Sequence, residues 1–115
     1  MKHFAFIGLG PFAMSMLERI SVISDQIIAA DENPDRIEHV KEMVSVAFTM
    51  NLLDEEAFER VFHEPVDVAI VDIESSGPEL LLVTFRLKKL GVPEIIVKSN
   101  SEEYEELLRL VGATR

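Results

Sequence analysis

Six residues near the start of the chain, Gly8-Leu9-Gly10-Pro11-Phe12-Ala13, have the types and spacing of a phosphate-binding turn. In such a G-x-G-x-x-A stretch, the first glycine permits the tight turn and Gly10 lets the backbone approach a pyrophosphate. A small residue at Ala13 lets the following helix pack close to the strand before it. Phosphates would then meet backbone N–H groups and the positive end of a helix dipole. A carboxylate completes the set, since Asp31 stands 21 residues after Gly10, near the spacing of ~20 at which a ribose-binding acid is expected. The same residues have a plainer use: two glycines can serve only a tight strand-to-helix turn, and an aspartate can solvate a strand end. With strand, turn, helix and acid all in order, nucleotide binding is the favoured reading.

Three residues shape what that site would accept. Pro11 lacks a backbone N–H and removes one donor from the phosphate cradle. Asp72 and Glu74 fall near the carboxyl end of the fourth apolar run, the edge on which open α/β sheets bind ligands, and would repel phosphate. NAD(H) or a less charged adenosine ligand is therefore expected over ATP without a cation. Asp31, Asp72 and Glu74 could instead hold a divalent cation if they converged, but their spacing gives no such sign, and no metal site is expected. With no cysteine and three scattered histidines, His3, His39 and His63, the chain lacks a thiolate metal set, a disulfide and a Cys-His pair. No Ser-His-Asp arrangement is visible either, so no catalytic residue is assigned. A formal charge of -10 disfavours nucleic acid, whose phosphates require a basic surface.

The elements that must position these residues alternate between short β-rich runs and helical periods, the sign of βαβ units around a parallel sheet. Strands are expected near Lys2–Ile7, Gln26–Ala30, Val44–Phe48, Val66–Ile73 and Glu94–Lys98, most of them apolar enough to be covered on both faces. Between them lie helices with apolar faces of Phe12, Met16, Leu17 and Ile20; of Ile37, Val40 and Val44; and of Ala57, Phe58, Val61 and Phe62. A fourth, from Gly77-Pro78, carries Leu80, Val83, Leu87 and Leu90 and stops at Gly91. The last begins at Ser101, with Tyr104, Leu107, Leu108 and Val111, and stops at Gly112. Pro11 at a first helical position, Asn33 before Pro34, and Asp54 are the start signals.

At 115 residues and 48% hydrophobic content, the expectation is one domain over 1–115. The expected fold is α/β: a Rossmann-like, doubly wound parallel sheet of five to six strands in three α/β/α layers. The opening apolar run ends at a glycine after too few residues for a secretory signal. The richest later stretch, Leu80 to Leu90, is broken by Arg86, Lys88 and Lys89, so direct membrane insertion is not expected. The cluster Leu80-Leu81-Leu82-Val83 with Phe85 and Leu87 is more apolar than one buried stripe requires, which predicts a homodimer or larger assembly.

Nearly the whole chain resembles the TrkA-N, or RCK N-terminal, domains that regulate potassium conductance. Phe4-Ala5-Phe6-Ile7-Gly8-Leu9-Gly10-Pro11-Phe12-Ala13 is similar to the family's opening strand and GLGRFG turn, with Phe12 the more diagnostic residue. Ala30-Asp31 resembles the family's VD at the end of strand two, Leu90-Gly91-Val92-Pro93 followed by Ile95-Ile96-Val97-Lys98 its LGVP-I-AR segment, and Leu110-Val111-Gly112-Ala113-Thr114 its LGAD. The resemblance implies that Asn51 falls where an acid or amide reads adenine, and that Lys98 stands where a basic residue often faces the ligand cleft; its plainer reading is a solvated strand end. It also implies binding of NAD(H), ATP or ADP, a dimer or ring, and a membrane potassium channel or transporter subunit as partner. Such a domain would be cytoplasmic, held at the inner face of the membrane through that partner. Pro11 replaces an arginine that often meets phosphate, Leu53 a threonine or serine, and Asp72 and Glu74 small neutral residues. Because family members usually continue into another strand and a second lobe, a chain trimmed at its C-terminal end is expected.

Two other classes share parts of this pattern. A cofactor-binding fragment of an NAD(P)-dependent oxidoreductase would carry the same turn, with its substrate groups on another domain. A phosphoacceptor receiver shares the sheet and the acidity but needs carboxylates at the ends of strands one and three, where this chain has Gly8 and Thr49-Met50.

Overall fold

The computed structural model describes residues 2–74, 77–99 and 101–115. In chain order the elements are β1 (Phe4–Ile7), α1 (Pro11–Ile20), β2 (Ile27–Asp31), α2 (Pro34–Val40), β3 (Val46–Thr49), α3 (Glu55–Val61), β4 (Val68–Val71), α4 (Gly77–Lys89), β5 (Glu94–Val97) and α5 (Glu102–Val111). All five strands are parallel, in the order β3-β2-β1-β4-β5. The chain starts at the centre, winds outward to β3, and crosses back to place β4 on the other side of β1. That reversal opens a crevice at the carboxyl ends of β1 and β4, where ligands of such sheets bind.

Alternation along β1 divides the core in two. Phe6 points to the face covered by α1 and α2, where it joins Leu17, Ile27, Ile37, Val40 and Ile70. Ala5 and Ile7 point to the opposite face, under α3, α4 and α5, with Phe58, Val83, Leu87, Ile95 and Leu108. Because β1 and β4 are covered on both sides, their runs are apolar at nearly every position. β3 departs from that expectation: it lies at the sheet edge, none of its four residues is buried, and Val46 is exposed. Val44 likewise falls outside α2, which ends at Val40 and gives way to a turn.

The start signals act as the sequence suggests. Asn33 Oδ1 accepts from Asp35 N at 2.9 Å, and Asp54 Oδ1 accepts from Glu56 N at 3.1 Å and Ala57 N at 3.3 Å, so orphan donors of α2 and α3 are satisfied. α4 ends through Gly91, whose φ of 85° is a conformation that glycine tolerates and side chains resist. Ser101 precedes α5 without a side-chain cap, and Leu107, assigned to the apolar face, is exposed while Leu108 is buried. After α5, Thr114 N donates to Ile95 O at 2.8 Å and Val97 N to Arg115 O at 2.9 Å. Residues 114–115 thus run along the outer edge of β5.

Candidate functional site

The glycine turn leaves β1 at Ile7 and enters α1 at Pro11. Gly8 takes a φ of 83° and donates its N–H to Ala30 O at 2.8 Å. A Cβ there would strike the carbonyl oxygen of Asp72 and the side chain of Ile73, so both the conformation and the space require glycine. Ala13, fully buried, lets α1 lie close to the sheet. Pro11 occupies the first turn of α1, where its missing N–H breaks no helical bond.

Two buried carboxylates hold this turn from opposite sides. Asp31, 5% exposed at the end of β2, accepts the Leu9 N–H at 2.6 Å through Oδ2 and the Asn33 N–H at 2.8 Å through Oδ1. Asp72, 6% exposed just past β4, accepts the Ala13 N–H at 3.0 Å through Oδ2, while its backbone oxygen accepts from Gly10 N at 3.2 Å. An anion at the first turn of a helix is favoured by the unpaired N–H groups and the dipole there. Here the anion is a side chain of the protein itself. A Cβ at Gly10 would lie 2.5 Å from Asp72 Oδ2, so the space that glycine leaves open is filled by this carboxylate.

Beside the turn lies a cleft of about 250 Å³ whose wall includes Gly8, Asp31, Arg36, Leu52, Leu53 and Glu74. Arg36 spans it: Nη2 is 2.8 Å from Glu74 Oε1 and Nη1 is 3.7 Å from Asp31 Oδ2. The Glu74 hydrogen bond is the chief reason the Arg36 pKa is raised. The charges of Glu74 and Asp31 add to it against the partial burial that opposes it. Arg36 is the one cation on the cleft wall among the described residues, and the sequence reading passed over it. Its signal was a basic residue one turn into the helix that follows the ribose-type acid, the place from which an arginine can reach ligand phosphate.

The assigned residues therefore fall into separate places. Gly8 and Asp31 share the first cleft, and Gly10 and Ala13 surround Asp72. Phe12 and Lys98 lie instead on a second cleft of about 320 Å³, with Val97, Leu108 and Arg109. Asn51 sits in an exposed loop, where its Oδ1 accepts the Leu53 N–H at 2.9 Å; the first cleft is walled by its neighbours Leu52 and Leu53. Asp31, Asp72 and Glu74 do not gather as ligands. Asp31 and Glu74 turn to Arg36, Asp72 turns to Ala13, and no group of three metal-ligating side chains occurs among the described residues. Nor is any helix among them long and apolar enough to cross a membrane.

Comparison with known proteins agrees with the fold. The sequence profile of the TrkA-N domain matches residues 4–115. The Ktr system potassium uptake protein A of Vibrio alginolyticus is 30% identical over 112 residues, which are 97% of this chain and 51% of that protein. The chain spans about half the length of the curated relatives it matches. Among solved structures, the TrkA-N domain of the inner membrane protein ybaL from Escherichia coli superposes with a TM-score of 0.84 at 19% identity, covering 98% of this chain and 84% of that one. The GsuK channel bound to NAD superposes with a TM-score of 0.78 at 18% identity, covering 97% of this chain and 20% of that one. At such identities the two structures speak to the fold, which is Rossmann-like.

Proposed function

The chain belongs to the TrkA-N domain family, and from that membership we propose that it is a regulatory, non-enzymatic domain of a potassium transport system. In this reading it binds NAD(H), or an adenine nucleotide such as ADP or ATP, and passes the state of that site to a membrane channel or transporter subunit from the cytoplasmic side. One observation carries the ligand assignment: Asp31 stands at the carboxyl end of β2, hydrogen-bonded to the glycine turn at Leu9 and forming the wall of the adjoining cleft. Each carboxylate oxygen has a second lone pair, so Asp31 can brace the turn and still accept a ribose hydroxyl. Among the described residues the cleft wall carries carboxylates, an amide, a guanidinium and apolar groups and no hydroxyl, thiol or imidazole, which favours sensing over catalysis.

The partner assignment rests on the relatives, which are parts of potassium uptake systems, and on the NAD-bound channel that shares the fold. A homodimer or ring would form by burying exposed apolar side chains of α4 and α5, among them Leu82, Phe85, Leu107 and Leu110. Calorimetry with NADH, NAD, ATP, ADP and AMP, each with and without magnesium, tests the sensor. The expected outcome is binding in the micromolar range that Asp31→Ala weakens; no binding tighter than millimolar by any of the five would overturn it.

A further inference from the structure

We propose that Asp72 is an intramolecular competitor for phosphate at the glycine turn, so that a phosphate-bearing ligand reaches the turn only by expelling this side chain. The proposal rests on the nucleotide-binding reading above and specifies what that site discriminates.

The donors of the turn are nearly all committed within the protein. Gly8 N–H goes to Ala30 O, Leu9 N–H to Asp31, Gly10 N–H to the Asp72 backbone oxygen and Ala13 N–H to the Asp72 carboxylate. Pro11 has none to give, and Met14 N–H closes the first helical bond with Gly10 O. Among the described residues only Phe12 keeps a backbone N–H in this stretch without a protein acceptor. A pyrophosphate brought here would face one free donor and two buried carboxylates, not a cradle of donors. The close approach that Gly10 permits is used by Asp72, whose carboxylate oxygens lie 2.5 and 2.7 Å from where a Cβ would stand. The first cleft accordingly reaches Gly8 and Asp31, but Gly10 and Ala13 form no part of its wall.

Asp72 also supplies what a bound phosphate would supply, a negative charge at the start of α1 and an acceptor for Ala13 N–H. The turn is therefore held in its ligand-ready shape before any ligand arrives. Binding of a phosphate exchanges one anion for another, and the difference between them, not the whole of the phosphate interaction, sets the affinity. Ligands that place only adenosine in the cleft, beside Asp31, leave Asp72 undisturbed.

The test compares wild type, Asp72→Asn and Asp72→Ala in calorimetric titrations with ADP, NADH and adenosine. Asp72→Asn keeps the size and an acceptor oxygen but removes the charge, so it covers the case in which loss of the cap unfolds Asp72→Ala; thermal melts establish which variants are folded. Expected is a gain of at least tenfold in ADP and NADH affinity in the folded variants, with adenosine affinity within about twofold of wild type. ADP and NADH affinities that are unchanged or weaker, while adenosine still binds, would overturn the role of Asp72 alone. Failure of all three ligands in all three proteins would instead remove the nucleotide-binding reading, and this proposal with it. An independent check is the structure of the wild type with ADP, in which Asp72 Oδ2 is expected to have left Ala13 N. An ADP phosphate bound at the turn with that hydrogen bond intact would equally refute the competition.

Discussion

Asp31 and Asp72 are both buried carboxylates acting on one turn, yet their removal should read differently. Asp31→Ala leaves the Leu9 N–H buried without an acceptor, which costs ~1–3 kcal/mol, and the urea midpoint should fall together with ligand affinity. The glycines offer a second contrast at this scale. Gly8 and Gly91 have nearly the same φ, 83° and 85°, but a Cβ at Gly8 meets the Asp72 backbone while none lies within 4 Å of one at Gly91. Gly91→Ala should therefore cost only the left-handed strain of ~1–2 kcal/mol, and Gly8→Ala distinctly more, because backbone must shift as well. Equal losses in the two denaturation curves would mean that the packing around Gly8 is softer than its contacts indicate.

Among the elements, α3 and α5 depend on different physics. α3 spans seven residues, short enough that its cap matters, and Asp54→Ala should lower stability by ~0.5–2 kcal/mol by freeing the Glu56 and Ala57 N–H groups. α5 buries only Leu108 fully, so Leu108→Ala should cost ~2–5 kcal/mol. Hydrogen exchange should then show α5 opening ahead of the central strands. The C-terminal residues tie into β5 through Ile95 and Thr114, so the loss should spread to the amides of that strand. Exchange confined to the loop before α5 would contradict this account.

For the molecule as a whole, the exposed leucines and Phe85 of α4 and α5 sit on a chain of net charge -10, and that acidity opposes self-association elsewhere on the surface. Light scattering should find a species of about twice the 13.0 kDa chain mass. Phe85→Glu should return it to the monomer with little change in the monomer's own stability, since Phe85 is 48% exposed. A wild type that stays monomeric at high concentration would remove the dimer from the proposal and leave the ligand cleft untouched.

Much of this was legible in the residues alone. Short apolar runs and period-3.6 faces located the five strands and five helices among the described residues, because burial on both sides of the central parallel strands leaves a continuous apolar record in the chain. Pro11, Asn33, Asp54 and Gly91 marked helix ends because each acts through its own neighbours in sequence. The turn and Asp31 were legible for the same reason: their spacing is fixed by one strand, one turn and one helix. What sequence could not show is where side chains from distant elements meet. Asp72 is 59 residues from Ala13, and its charge suggested repulsion of a ligand, not a hydrogen bond to the turn itself. Arg36 and Glu74 are 38 apart, and neither carries a local sign of the other. Lys98 and Asn51 were placed by resemblance, and their positions outside the first cleft follow from loop and strand-end geometry that no spacing encodes. Local rules fix what a segment becomes, whereas the contacts that decide the site arise only when the sheet brings the ends of β1, β2 and β4 side by side.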